Sequence, residues 1–174
     1  KKPMYPVNEK LRHYLKNHGR EVKLSVSYND LLNFTWSTPI KDKNGNNTLW
    51  EKTSYDSRDW NFIREGLVKI YAALKTEGDY SFLSHFDVAR VDYCTFGNSN
   101  PFRIRIVNKF NDNYDHYYIK IADASRIYGL ELEHILSPNR IIFFTSDNTL
   151  VEEHIPGIPG DMFVSQFLNA PDMN

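Results

Sequence analysis

The chain has 174 residues, with 21 basic and 22 acidic side chains and a net charge of −1. That length holds one domain or two small ones and is enough to bury a core. The near-neutral charge excludes a global pull on nucleic acid or an anionic membrane, and no apolar run approaches the ~18 residues of a transmembrane helix. A single cysteine, Cys94, excludes an internal disulfide and points to a reducing, cytoplasmic setting. Eleven Tyr, eleven Phe and three Trp make the chain aromatic-rich, which serves cores first and binding surfaces second. The opening residues KKPMYPVNEK lack the apolar stretch of a signal peptide and begin with Lys1, so the chain reads as a piece of something longer.

In chain order, Pro3 and Pro6 make the lead-in extended. The spacing predicts a helix over Val7–His18, with Asn8 as N-cap and Leu11, Tyr14, Leu15 and His18 on one face. Gly19 is a fitting C-terminal stop. Glu21–Tyr28 alternates, with Val22, Leu24, Val26 and Tyr28 on one side, and predicts a half-buried strand. Leu31–Trp36 is apolar and ambiguous. Pro39–Thr48 is polar, and Asn44-Gly45 signals a hairpin turn. Asn33 and Asn46 head glycosylation sequons that matter only on a secreted chain. Asp59–Lys75 predicts the strongest helix of the first half, capped by Asp59, with Phe62, Ile63, Gly66, Leu67, Ile70, Tyr71 and Leu74 on a wide apolar face.

The second half reads mostly as strands. Ser84–Tyr93 alternates, with Phe86, Val88 and either Ala89 or Val91 facing in. Phe102–Lys109 sets Phe102, Ile104 and Ile106 against Arg103, Arg105 and Val107, and Tyr117–Ala122 supplies a third strand. Short polar turns between them predict an antiparallel meander. A helix follows from Asp123 or Ser125, with Ile127, Glu131 and Ile135 on one line. Arg140–Thr145 and Thr149–Ile155 form a hairpin around Ser146-Asp147-Asn148. Pro156–Gly160 then forbids regular structure, and Asp161 caps the start of another helix.

Three antiparallel strands, a helix, two more strands and a Pro/Gly exit resemble the N-lobe of the protein-kinase-like superfamily. The local match is to its aminoglycoside phosphotransferase-like and HipA-like branch. Glu153-His154-Ile155-Pro156-Gly157 is similar to that branch's hinge, Lys120 to its strand lysine, and Glu131 or Glu133 to the helix glutamate that pairs with the lysine. The resemblance implies an α+β chain: a five-strand antiparallel sheet with one packed helix over 81–161, preceded by an α/β element over 1–80. Residues 162–174 would begin a helix leading to a missing C-lobe. It further implies ATP with Mg2+ as cofactors, Lys120 on the phosphates and Glu131, the preferred partner, orienting it. The Thr95–Asn100 turn, including Gly97, Asn98 and Ser99, would cover the phosphates, and the backbone of Glu153, His154 and Ile155 would hold adenine. Phosphoryl transfer is mostly positioning and charge neutralisation, and a lysine on a rigid strand supplies a fixed cation for it.

The pattern also departs from that family. The turn has one glycine in place of G-x-G-x-x-G, and no catalytic loop or metal-binding aspartate follows Gly160. The expected function is therefore the ATP-binding lobe of a phosphotransferase whose catalytic lobe lies in other sequence or on a partner chain. The rival is a non-catalytic protein-binding or regulatory module that uses the aromatic-rich sheet. The blander readings make Lys120 a snorkelling strand lysine and both glutamates a solvated helix face. Six histidines show no ligand spacing, so a metal site from His116, His134 and His154 needs the fold to gather them. Arg103 and Arg105 read as a solvated sheet face ahead of a nucleic-acid surface; neither membrane nor nucleic acid is an expected partner.

Overall fold

The computed structural model describes residues 3–76, 79–96, 99–158 and 160–165. The chain is α+β, built on one open antiparallel sheet. Seven strands lie in the order β1-β2-β3-β4-β5-β7-β6. They are β1 Trp36–Lys41, β2 Asn47–Ser54, β3 Phe86–Cys94, β4 Phe102–Asn108, β5 Tyr114–Ile121, β6 Phe143–Ser146 and β7 Thr149–Glu153. The helices are α1 Glu9–Asn17, α2 Tyr28–Leu31, α3 Ser57–Thr76, α4 Ala124–Leu136 and α5 Gly160–Phe163. Among the described residues no helix is long and apolar enough to cross a membrane.

The expected five strands become seven because the first half contributes a hairpin. Gly45 takes φ +85° at its tip, which glycine adopts without strain. The Asp42 carboxylate accepts from the amides of Asn44 and Asn46 at 2.8 and 2.9 Å, an Asx-type closure. β2 then pairs with β3 through Trp50↔Cys94 and Lys52↔Asp92. Residues on both sides of position 80 therefore share one sheet and one core.

That core lies on the face covered by α3. Phe102, Ile104, Ile106, Tyr117 and Ile119 are at most 1% exposed and pack with Ile63, Leu67, Ile70 and Leu74 of α3. Each such side chain contributes about 1.5–3 kcal/mol by leaving water. The Tyr117 hydroxyl donates to the Leu67 carbonyl at 2.8 Å, so its buried polar end is satisfied. Gly66 lets α3 come close: a Cβ there would lie 2.2 Å from Cγ2 of Val26. The β3 phase break falls at a bulge between Val88 and Arg90, which puts Val88 and Val91 inward and leaves Ala89 exposed.

A second cluster sits on the opposite face at the β7–β6 end. Leu11 and Leu15 of α1 and Ile127 and Leu130 of α4 close over Phe143 and Leu150. α1 begins as expected, with the Asn8 side chain accepting from the Leu11 amide at 2.9 Å. α3 begins at Ser57, not at Asp59, which lies within the first turn; there its charge still suits the helix dipole. α5 begins at Gly160, so Asp161 is inside it and not its cap.

Glu21–Tyr28 is not a strand. Only Glu21 makes a parallel bridge, to Thr145. The Val22 amide donates to the Thr145 carbonyl and the Thr145 amide to the Arg20 carbonyl. After this brief contact with the short edge strand β6 the chain turns across the α3 face and buries Val26, Tyr28 and Leu31. A Ser27–Asp30 capping box starts α2. The alternation in the sequence records burial of an irregular segment, not pairing.

Candidate functional site

The β5–β7 register sets the site. Tyr118 lies opposite Glu152 and Lys120 opposite Leu150, so these four share the face that α3 does not cover. Lys120 reaches diagonally to Glu152, with Nζ 2.6 Å from Oε2. Arg126, in the first turn of α4, grips the same carboxylate from above. Its Nε and Nη2 donate to Oε1 and Oε2, both at 2.8 Å, a forked geometry stronger than a single contact. Glu152 is 3% exposed. Burial alone would raise its pKa, but the Arg126 hydrogen bonds and the charges of Lys120 and Arg126 outweigh burial and hold it below the ordinary value. Arg126 is pushed up in return, chiefly by its hydrogen bonds to Glu152. Two cations share this carboxylate and leave one positive charge, which the Asp123 carboxylate on the adjoining cavity balances.

That charge borders a cavity of about 480 Å³ whose lining includes Ser99, Lys120, Asp123, Ser125 and Arg126. The expected lysine and one expected residue of the covering turn thus face the same space. Gly97 and Asn98 lie outside the described residues. The turn's flanks are tied down: the Cys94 amide donates to the Pro101 carbonyl at 2.9 Å, and the Asn100 side chain donates to the Cys94 carbonyl at 3.2 Å.

The expected lysine–glutamate pair does not form. Glu131 is buried, but Arg20 Nε stands 2.6 Å from its Oε1, off the hydrogen-bond direction, and the Tyr14 hydroxyl donates to Oε2 at 3.1 Å. Glu133 accepts from the Ile141 amide at 3.1 Å and is no partner for Lys120 either. The physical reason is α1. It fills the space beside α4 and brings Arg20 to Glu131, while Glu152 comes to Lys120 on the neighbouring strand. The line Ile127, Glu131, Ile135 leaves the protein at its last member, which is 69% exposed.

At the strand exit the three hinge residues differ. Glu153 is inside β7, and its amide donates to the Ile142 carbonyl at 3.0 Å. Its carboxylate accepts from the Ile142 amide at 2.7 Å. That amide is therefore not free for an adenine edge. His154 and Ile155 follow the strand; Nδ1 of His154 is 3.2 Å from the Tyr118 hydroxyl, and Ile155 is exposed. Of the three histidines that could have met at a metal, His116 and His154 are neighbours, with ring centroids 5.7 Å apart. His134 sits instead near Arg20, Arg140 and Glu131. No group of three or more His, Cys, Asp or Glu among the described residues could hold a metal ion.

Glu152 and Arg126 are the residues that sequence reasoning missed. The alternation Leu150, Val151, Glu152 puts a charge at a position that the strand pattern makes inward or lysine-facing, which is the one available signal. Comparisons of the chain with protein-family models, with curated proteins and with solved structures find no match.

Proposed function

We propose that the chain is the nucleotide-binding lobe of a kinase-like phosphotransferase and that its cavity takes the phosphates of ATP. The observation that carries this reading is the convergence of Lys120, Arg126 and Ser99 on one cavity, with the lysine ammonium held by a buried carboxylate. A fixed ammonium and a guanidinium whose partner is already shared suit a polyphosphate, which needs positioned charge more than covalent chemistry. The chain order β3-β4-β5-α4-β6-β7 in one antiparallel sheet adds support. In this reading Glu152, not Glu131, orients Lys120, and Glu131 serves to join α4 to α1.

Magnesium, bound with the nucleotide, would supply charge neutralisation at the phosphates. The described residues offer it no set of three acidic or imidazole ligands, so no step is derived through it. The described residues of this chain bind and orient; transfer would need groups supplied from elsewhere.

A second reading rests on a different feature. Tyr128, Leu132, Ile135 and Leu136 on the outer side of α4 are 51–77% exposed, an apolar face suited to a protein partner in a non-catalytic module. Calorimetry with Mg-ATP separates the two. Saturable binding, weakened about tenfold or more by Lys120→Ala in a variant that keeps its circular dichroism, is the expected result, since one charge-assisted contact is worth about 1.5–3 kcal/mol. Glu131→Gln should leave the affinity within about threefold. Absence of heat at millimolar ATP with folded protein would sink the nucleotide reading and leave the protein-binding module.

A further inference from the structure

The face of β2–β5 that α3 does not cover carries a pattern separate from the cavity. Strand registers line up Lys52, Asp92, Arg103, Tyr118 and Glu152 across five strands. A second row runs Arg90, Arg105, His116 and continues to the His154 ring. Each row crosses the sheet, and the first spans about four strand spacings, roughly 19 Å.

The charges on this face are not balanced. Asp92 is 0% exposed and holds two arginines: Arg103 Nη2 at 2.7 Å and Arg90 Nε at 2.6 Å. That trio keeps one positive charge. Arg105 makes no ion pair among the described residues; its guanidinium lies over the Tyr114 ring, 3.8 Å from the centroid. Lys52 is exposed and likewise has no ion pair among the described residues. Rings stand between the cations. Arg103 lies 4.4 Å from the Trp50 centroid, and Trp50 and Tyr118 are 6.3 Å apart. The buried carboxylate fixes the arginine planes, so they are preorganised and lose little side-chain freedom on binding. His116 reports the local field: burial first, then Arg103, His154 and Arg105, lower its pKa to about 4.

Planar cations and aromatic rings alternating on an open sheet are the means by which proteins bind single-stranded nucleic acid. Bases stack on rings and guanidinium planes, and phosphates meet the arginines and lysines. We infer that this sheet face binds a short single strand of nucleic acid, a few nucleotides long, across β2–β5. The overall charge of −1 conceals this surface because the two carboxylates on it, Asp92 and Glu152, are buried beneath cations. An acidic peptide would use the cations but leave Trp50 and Tyr118 idle, so the rings favour a nucleic acid.

The test is fluorescence anisotropy with a labelled oligothymidine of roughly 12 nucleotides, long enough to span such a face. The full chain is compared with Arg105→Glu, Trp50→Ala and Lys69→Glu; Lys69 is an exposed cation on α3, across the sheet. Expected are saturable binding, a loss of about tenfold in Arg105→Glu and about fivefold in Trp50→Ala, and no change in Lys69→Glu. With about three phosphate contacts, raising salt from 50 to 200 mM should weaken binding roughly 20-fold. Lack of saturation at about 100 μM folded protein, the level of non-specific binding, would overturn the inference. So would equal losses in Lys69→Glu and Arg105→Glu, or displacement by polyglutamate as effective as by unlabelled oligonucleotide. Arg105→Glu carries the decision if Trp50→Ala fails to fold. These variants leave the Ser99–Arg126 cavity intact, so failure here and failure of ATP binding are separate outcomes.

Discussion

The two faces of the sheet are built from the same strands on opposite principles. Toward α3, Phe102, Ile104, Ile106 and Ile119 are buried among other carbon, and ion pairs such as Arg64–Asp87 and Lys75–Asp115 sit at partly exposed side chains. On the other face two carboxylates, Asp92 and Glu152, are buried beneath four cations. Burial of apolar area stabilises the first face, and that term responds little to salt or pH. Charge pairing on the second face costs desolvation that roughly offsets its Coulomb gain, so the net stability is small while removal of one partner is expensive. The α3 face holds the fold, joined at the β7–β6 end of the other face by the cluster around Leu15, Ile127 and Leu150; the rest of that other face holds charges in fixed positions.

The largest effect should come from the apolar face. Ile104→Ala leaves a cavity beneath α3 and should cost about 2–5 kcal/mol, or roughly 10 °C in Tm for a chain of this size. The loss, read by urea or thermal unfolding, should be the same in low and high salt. A strongly salt-dependent loss would break the distinction between the faces. Glu152→Gln is the matching change on the charged face. It leaves Lys120 and Arg126 opposed without a counter-charge. Full burial would make that cost about 3–5 kcal/mol. Here Arg126 is 49% exposed and water relieves the pair, so about 2 kcal/mol is expected, shrinking as salt rises. If added salt leaves the loss unchanged, Glu152 acts through packing and not through charge.

Those two sites also mark what the sequence made legible. Phe102, Ile104 and Ile106 alternate with arginines, and strand geometry alone turns that period into a buried face. Even the ambiguous Ala89 or Val91 had structural content, since the β3 bulge sits there. The hairpin around Asp147 (φ 50°) and the cap at Asn8 are likewise local. The partner of Lys120 is not local. Glu152 lies 32 positions away, and only the β5–β7 register brings it within reach. Glu131 was readable as a residue on the inner line of α4, but Arg20 reaches it by way of α1, more than a hundred residues upstream. The balance of charge across the β2–β5 face was equally hidden, because several strands contribute to each row. Propensity and period report one element at a time, whereas both candidate surfaces are made by pairing between elements.

The smallest predicted effect tests the charged face through pH. His116 has a folded pKa of about 4, lowered by burial and then by the nearby cations Arg103 and Arg105 and by His154, against about 6.5 when unfolded. Between those values the unfolded chain binds a proton that the folded chain refuses. Stability therefore rises with pH across this window: the contribution is complete above about pH 6.5 and is lost as pH falls toward 4. The full shift would exceed 3 kcal/mol, but His116 is only half-buried, and solvent screening reduces the expected change to about 1–2 kcal/mol. His116→Gln should remove that part of the slope between pH 6.5 and 4, measured by chemical unfolding at a series of pH values, while Ile104→Ala should keep it. An unchanged slope in His116→Gln would mean that neither burial nor the neighbouring charges hold the imidazole neutral in the folded chain. The imidazole would then be hydrated as in the unfolded chain, and His116 would stand in water at the edge of the charged face and not within it.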